Sequence, residues 1–178
     1  MTALATTLVL GGARSGKSAF AERLIADSGL ARIYLATAGA GDDEMKARIA
    51  HHRAQRGEGW TTIEEPLALV DALTREATHG RAVLVDCLTL WLSNLMFAQR
   101  DPEIEVRRLT RFLGVAKYPI VFVSNEVGLG LVPETPLGRA FRDAQGRLNQ
   151  IVAAVVPQVA FIAAGLPLWL KRPSAKEC

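Results

Sequence analysis

Residues 7–18, TLVLGGARSGKS, decide the fold of this 178-residue chain. Positions 11–18 match the phosphate-binding pattern G-x-x-x-x-G-K-[ST] at every fixed position. The apolar run before the pattern predicts a buried strand. Residues 19–25 after it have helical spacing, with Phe20 and Leu24 on one face. Strand, loop and helix are the context that the motif requires, so we expect a nucleoside triphosphate site.

The backbone of this loop explains its chemistry. Glycines allow successive N–H groups to point inward, and the positive end of the following helix adds to the attraction for phosphate. Lys17 can reach the β and γ oxygens, and the Ser18 hydroxyl can ligate the accompanying Mg²⁺. We therefore expect nucleotide contacts from the whole loop, which comprises Gly11, Gly12, Ala13, Arg14, Ser15, Gly16, Lys17 and Ser18.

Composition indicates one globular α/β domain over residues 1–178. Charged residues make up 22% and apolar residues 49% of the chain, without low-complexity segments. The net charge of +3 suits a polyanionic small molecule as well as nucleic acid. Two cysteines, Cys87 and Cys178, form neither a disulfide framework nor a metal cluster, which favours the cytoplasm. The apolar N-terminus lacks a basic leader, so we interpret it as a strand rather than a signal.

One stretch has the length and polarity of a membrane span. Residues 151–170 carry no charge, and 20 apolar residues would cross a bilayer. Pro157 and Pro167 interrupt the stretch, however, and Gln158 lies within it. We predict a helix ending near Val156 and a final strand over residues 159–163, and no membrane span.

Polar residues follow several of the predicted strands. Four to five buried strands alternate with helices, which predicts a parallel, doubly wound sheet that collects its loops at the carboxyl edge. Thr37, Asp86 and the pair Asn125-Glu126 would converge there with the phosphate loop. Asp86 would hold Mg²⁺ directly or through water. The alternatives are a hydroxyl that caps a turn at Thr37, a helix N-cap at Asp86, and an ordinary βα loop after residue 124.

Two adjacent histidines lie on a helix predicted over residues 44–56. His51 shares the polar face with Arg48 and Gln55, whereas His52 lies on the apolar stripe. His51 is therefore the histidine that the helix would present to a ligand. The alternative is that both belong to a solvated basic surface.

Six sequence blocks together resemble the bifunctional adenosylcobinamide kinase/adenosylcobinamide-phosphate guanylyltransferase family of cobalamin biosynthesis. These blocks are GGARSGKS at 11–18, ATA at 36–38, DDEM at 42–45, RI followed by HH at 48–52, NEVG at 125–128 and FRDxxGRxNQ at 141–150. They occur in the order found in that family, over about residues 8–171.

The resemblance implies a two-step enzyme. A nucleoside triphosphate, ATP or GTP, would phosphorylate the aminopropanol hydroxyl of adenosylcobinamide, and GTP would then transfer GMP to that phosphate and release pyrophosphate. By position in its block, His51 would carry the guanylyl group. A neutral imidazole nitrogen is a suitable nucleophile for the α-phosphorus.

The resemblance also implies a set of GTP contacts and an assembly. Relatives often carry glutamate at the position of Asp86, so we expect the shorter carboxylate to act on Mg²⁺ through water. The family suggests a homotrimer. Beyond the phosphate loop, the implied contacts are Ala36, Thr37, Ala38, His52, Arg53, Ala54, Gln55, Glu64 and Asp86.

Two other functions compete with this interpretation. A kinase that lacks GMP transfer would not need His51. A nucleotide-regulated nucleic-acid-binding module would use the basic cluster Arg107, Arg108 and Arg111, but the chain has no recognisable nucleic-acid motif. We therefore expect a small-molecule enzyme with no nucleic-acid partner.

Overall fold

The computed structural model describes residues 4–38 and 57–172. Within these ranges the strands are β1 Thr7–Gly11, β2 Ala31–Ala36, β3 Trp60–Glu64, β4 Arg81–Asp86, β5 Ile120–Asn125, β6 Gln158–Ala163 and β7 Leu166–Lys171. The helices are α1 Lys17–Ala26, α2 Leu69–Glu76, α3 Leu88–Phe97, α4 Pro102–Val115 and α5 Pro136–Val155. The predicted helix over residues 44–56 lies outside the described residues.

The strands form one sheet in the order β3-β2-β4-β5-β1-β6-β7. All neighbouring strands run parallel except β6 and β7, which are antiparallel. The predicted parallel sheet is therefore confirmed. Its carboxyl edge carries the phosphate loop at the end of β1, with β5 immediately beside it and β4 one strand further on.

Both faces of the sheet are covered by helices. Successive strand residues point to opposite faces, so the apolar runs of the central strands supply two cores. On one face, Val9 and Val121 pack with Ala21 and Ile25 of α1. The other core contains Leu8 and Phe122 together with buried residues of the remaining four helices. This two-sided burial defines the doubly wound architecture.

The apolar stretch over residues 151–170 is broken as predicted. Its first part ends α5 at Val155, and β6 follows at Gln158. The expectation that the strand over residues 159–163 is the final one is wrong, because a hairpin turn leads from β6 into β7. In the part of the chain that the structure describes, no helix has the length and apolar character needed to cross a membrane.

Candidate active site

The phosphate loop turns sharply between β1 and α1. Gly16, the N-cap residue of α1, has a φ of 93°, in the left-handed region that glycine adopts at little cost. The Ser15 N–H donates to the Gly12 carbonyl at 3.3 Å, and Lys17 Nζ donates to the same carbonyl at 3.1 Å. The loop therefore curls over the start of α1, where N–H groups and the helix dipole bind anions.

The turn between β6 and β7 braces this loop. Ala164 and Gly165 both have positive φ, 51° and 80°, as a tight two-residue hairpin turn requires. The Gly165 N–H donates to the Ser15 carbonyl at 2.8 Å. A Cβ at Gly16 would lie 3.2 Å from the Cα of Gly165. The seventh strand thus contributes to the site by fixing the shape of the phosphate loop.

Asp86 ends β4 at the same edge. The Tyr34 hydroxyl of β2 donates to its Oδ2 at 2.9 Å, and Tyr34 itself is almost fully buried. The N-cap residue of α3 is Cys87, and no side chain caps that helix. The alternative of Asp86 as a helix cap is therefore wrong. Its carboxylate is instead oriented by the Tyr34 phenol of the neighbouring strand.

Thr37 ties β2 to the segment that follows Asp86. Its Oγ1 donates to the Cys87 carbonyl at 2.7 Å and accepts from the Cys87 N–H at 2.8 Å. The side chain is completely buried. Asn94 of α3 donates to the Thr37 carbonyl at 2.7 Å and to the Pro66 carbonyl at 3.1 Å. These bonds hold the ends of β2, β3 and β4 together.

Cys87 is a buried thiol beside these groups. Burial raises its pKa from 9.0 to about 11, and the adjacent Asp86 carboxylate acts in the same direction. Backbone hydrogen bonds from Leu90 and Thr89 and the positive charge of Lys17 lower the pKa by less. A thiol with this pKa stays protonated near neutral pH, which disfavours a nucleophilic role for Cys87.

The end of β5 is fixed by a buried polar network on α5. Asn149 accepts from the Ser124 hydroxyl at 2.6 Å and from Gln145 Nε2 at 3.0 Å. Its own Nδ2 donates to the Asn125 carbonyl at 3.0 Å. The Asn125 N–H donates to Thr89 Oγ1 at 2.8 Å. Both backbone polar groups of Asn125 are thus bound to side chains, which pins the chain beside the phosphate loop.

The predicted site residues divide by strand position. Asn125 is paired with Gly11 on the neighbouring strand, and Asp86 lies two strands from β1. Ala36, Thr37 and Ala38 are at the end of β2, three strands from β1, and Glu64 ends β3, four strands from β1. At roughly 5 Å per strand, Glu64 lies about 20 Å from the loop along the edge. The remaining predicted residues, His51, His52, Arg53, Ala54 and Gln55, lie outside the described residues.

Several residues of this edge were not expected from the sequence. Tyr34 and Asn94 were absent from the predicted site, although they orient Asp86 and Thr37. Gln145 is completely buried within the α5 network. The available signal was polarity in otherwise apolar segments, because a buried polar side chain needs a partner.

The basic cluster on α4 is neutralised in part. Arg108 pairs with Asp71 at 2.9 Å and with Glu105 at 3.0 Å, and Arg107 pairs with Glu103 at 3.5 Å. Two of the three arginines are thus paired with carboxylates, which favours a solvated surface over a nucleic-acid contact.

A parallel sheet wound on both faces, with a phosphate loop after its first strand and a carboxylate at the tip of β4, defines a P-loop NTPase-like nucleotide-binding domain. Residues 7–170 match the family model described as cobinamide kinase / cobinamide phosphate guanyltransferase. The chain belongs to this family, and it is an enzyme.

Curated relatives agree with this assignment, and a solved structure agrees with the fold. The chain is 53% identical over 166 residues to the bifunctional adenosylcobalamin biosynthesis protein CobP of Pseudomonas aeruginosa, covering 92% of this chain and 96% of that protein. It is 39% identical over 179 residues to the bifunctional adenosylcobalamin biosynthesis protein CobU of Escherichia coli, and the match covers 92% of this chain and 98% of that protein. The solved structure of a Pyrococcus horikoshii OT3 protein, project PH0250, matches with a TM-score of 0.58 at 12% identity. The match covers 97% of this chain and 88% of that one. This last likeness concerns the fold alone.

Proposed function

We propose that the protein phosphorylates adenosylcobinamide with a nucleoside triphosphate and then transfers GMP from GTP to the new phosphate. The observation that carries the proposal is the phosphate loop with Lys17 at its end, in a chain of the cobinamide kinase and guanyltransferase family. Lys17 binds the β and γ oxygens as a point charge, and the loop N–H groups bind the phosphates without a counterion.

The oxygen ligands at the sheet edge suit magnesium. Ser18 supplies a hydroxyl on the first turn of α1, and Asp86 supplies a carboxylate already held by Tyr34. Magnesium binds through one or two protein oxygens plus substrate phosphates and waters. Across residues 4–38 and 57–172 no cluster of three or more His, Cys, Asp or Glu side chains could form a closed metal cage. When bound, the ion neutralises charge on the phosphate oxygens.

His51 is the residue we propose as the carrier of the guanylyl group. Its imidazole nitrogen would attack the α-phosphorus of GTP, forming an N–P bond while the bond to the leaving pyrophosphate breaks. The phosphate of adenosylcobinamide phosphate would then displace the histidine. The support is the position of His51 in the sequence block at 48–52 and its polar-face position on the predicted helix.

GTP labelled at the α-phosphate tests this proposal. The purified protein is incubated with Mg²⁺ and labelled GTP and then denatured, with His51→Ala and His52→Ala treated identically. We expect label that is labile in acid and stable in base, absent only from His51→Ala. Addition of adenosylcobinamide phosphate before denaturation should remove the label from the wild type.

Two results would overturn parts of the proposal. Absence of label in a wild-type protein that binds GTP tightly would exclude the covalent intermediate and leave a kinase. Loss of label in His52→Ala with retention in His51→Ala would assign the intermediate to the other histidine. The homotrimer and the cytoplasmic location stay predictions. Light scattering on the purified protein during size-exclusion chromatography measures the oligomeric state.

A further inference from the structure

The strand order places β5 between the two parts of the nucleotide site. The phosphate loop follows β1, and Asp86 ends β4, with β5 paired to both strands. A residue at the tip of β5 therefore lies about 5 Å along the edge from each neighbour. The terminal phosphate of a nucleotide held by Lys17 and a metal near Asp86 would face this tip.

Glu126 is the first residue after β5, and its backbone is attached to the phosphate loop. Its N–H donates to the carbonyl of Gly11, where the loop begins, at 3.0 Å. The preceding residue is held on both sides by Thr89 and Asn149. Buried polar groups are costly unless paired, so a network of this kind specifies one backbone position. Glu126 is therefore carried on a rigid support rather than on a flexible loop.

The carboxylate of Glu126 is itself oriented. Oε1 accepts from the Gly128 N–H at 2.6 Å, and the side chain is half-buried. A Cβ at position 128 would lie 2.8 Å from that oxygen, so glycine is what allows this contact. This hydrogen bond restricts the rotation of the carboxylate, and Oε2 is the oxygen that does not take part in it. A positioned carboxylate is the usual acceptor for the proton of a hydroxyl that attacks a phosphoryl group.

Other carboxylates at this edge have different positions or partners within residues 4–38 and 57–172. Asp86 accepts from Tyr34 and suits the metal. Glu65 accepts from two N–H groups at the start of α2, and Glu64 lies four strands from β1. Asp143 of α5 lines a groove with Gly128 but is exposed and lies 3.8 Å from Arg142. Glu126 differs from these residues because its backbone N–H is hydrogen-bonded to Gly11 at the start of the phosphate loop.

We propose that Glu126 is the catalytic base of the kinase step, an inference that rests on the proposed function. Oε2 of Glu126 takes the proton of the aminopropanol hydroxyl while the oxygen of that hydroxyl forms a bond to the γ-phosphorus. The bond between the γ-phosphorus and the β-phosphate oxygen breaks, and its electron pair leaves with the nucleoside diphosphate. Glu126 later returns the proton to water. The guanylyl transfer attacks with a phosphate oxygen that carries no proton, so that step does not need this base.

Glu126→Gln separates the two half-reactions. Glutamine keeps the acceptor for Gly128 but cannot take a proton. We expect the kcat for phosphorylation of adenosylcobinamide to fall roughly 100- to 10,000-fold, the usual contribution of a general base. The KM for the nucleotide should change less than about threefold, since the phosphate loop is intact. Labelling by α-phosphate-labelled GTP should match the wild type and thereby show that the variant is folded.

Two further variants sharpen the test. Asp143→Asn removes the carboxylate in the groove beside Gly128 and should retain wild-type kinase activity. Glu126→Asp keeps a base on a shorter side chain and should recover part of the activity that Glu126→Gln loses. Recovery by aspartate distinguishes proton transfer from a merely structural role.

Several outcomes would overturn the assignment. They are a Glu126→Gln kcat within threefold of the wild type, loss of kinase activity in Asp143→Asn instead, or equal loss of kinase activity and guanylyl labelling in Glu126→Gln. A wild-type protein that does not phosphorylate adenosylcobinamide would instead refute the proposed kinase function, and it is measured first.

Discussion

Replacing Asn149 by alanine should destabilise the protein by about 3–5 kcal/mol. Asn149 is buried on α5 and makes three hydrogen bonds to the end of β5 and to its own helix. Two of these bonds are accepted by Oδ1, from Ser124 and Gln145, and one is donated by Nδ2 to the Asn125 carbonyl. Alanine removes all three, so that the Ser124 hydroxyl and the Asn125 carbonyl lose these partners.

The magnitude follows from those contacts. A lost hydrogen bond whose donor keeps another partner costs about 1 kcal/mol, whereas a buried group left without a partner costs about 1–3 kcal/mol in all. Gln145 Nε2 keeps its bond to Ser124 Oγ at 2.9 Å, which limits the additional cost to the Asn125 carbonyl and the Ser124 hydroxyl. Relaxation of the cavity recovers part of it. A domain with 5–15 kcal/mol of stability would remain folded but with a much lower denaturation midpoint.

Urea unfolding followed by tryptophan fluorescence measures this change, because Trp91 is fully buried in the core. The control is Gln150→Ala, which alters the next, exposed residue of the same helix and should change stability by less than about 0.5 kcal/mol. A double-mutant cycle with Ser124→Ala should give a coupling of about 1 kcal/mol or more. Destabilisation below 1 kcal/mol for Asn149→Ala, with no coupling to Ser124, would refute the role of the network.

Two other substitutions test the loop and the buried thiol. Gly16→Ala should abolish nucleotide binding and lower the free energy of unfolding by about 1–3 kcal/mol, because the φ of Gly16 is 93° and the added Cβ would press on Gly165. The control is Gly29→Ala, which also has a positive φ, 70°, but open space around it, and which should destabilise the protein but retain nucleotide binding. Calorimetry measures the binding, and urea unfolding measures the stability. Without nucleotide or metal, the native Cys87 thiol keeps its proton up to about pH 11, while the thiol of the unfolded chain loses its proton near pH 9.0. The raised pKa of the native thiol therefore contributes about 2–3 kcal/mol to the free energy of unfolding. This contribution is complete below pH 9 and is lost as the pH rises from 9 to 11. Cys87→Ala should show a correspondingly smaller loss over that interval, and equal losses in the two proteins would contradict the assigned pKa.

The elements nearest the phosphate loop could be predicted because their signals are local. An apolar strand, the loop pattern and an amphipathic helix follow one another within residues 7–26, and each needs only its neighbours to be recognised. The β4 strand ending at Asp86 was equally clear. These segments combine strong periodicity with a sharp polar boundary.

The seventh strand could not be predicted for a physical reason. Its second residue is Pro167, which argues against a central strand, but an edge strand tolerates proline because one side forms no ladder. The turn before it places Ala164 at a φ of 51°, where asparagine or glycine would be the usual signal. The sequence alone therefore does not indicate a hairpin here, and the pairing of Leu166 with Ala163 in the structure is what reveals it.

The assignment of roles at the site depends on strand order, which local sequence does not encode. Convergence of the strand ends at one edge follows from parallel pairing, and the sequence predicts it for Asp86 and for Asn125-Glu126 alike. The two proposed roles, metal ligand for Asp86 and base for Glu126, differ in which strand neighbours β1. The crossover connections place β5, not β4, beside the phosphate loop. Glu126 is thereby bonded through its own N–H to Gly11, whereas Asp86 is held one strand further away by Tyr34. The topology of the sheet therefore gives two carboxylates with similar sequence contexts different neighbours, and this difference is the basis of the two proposed roles.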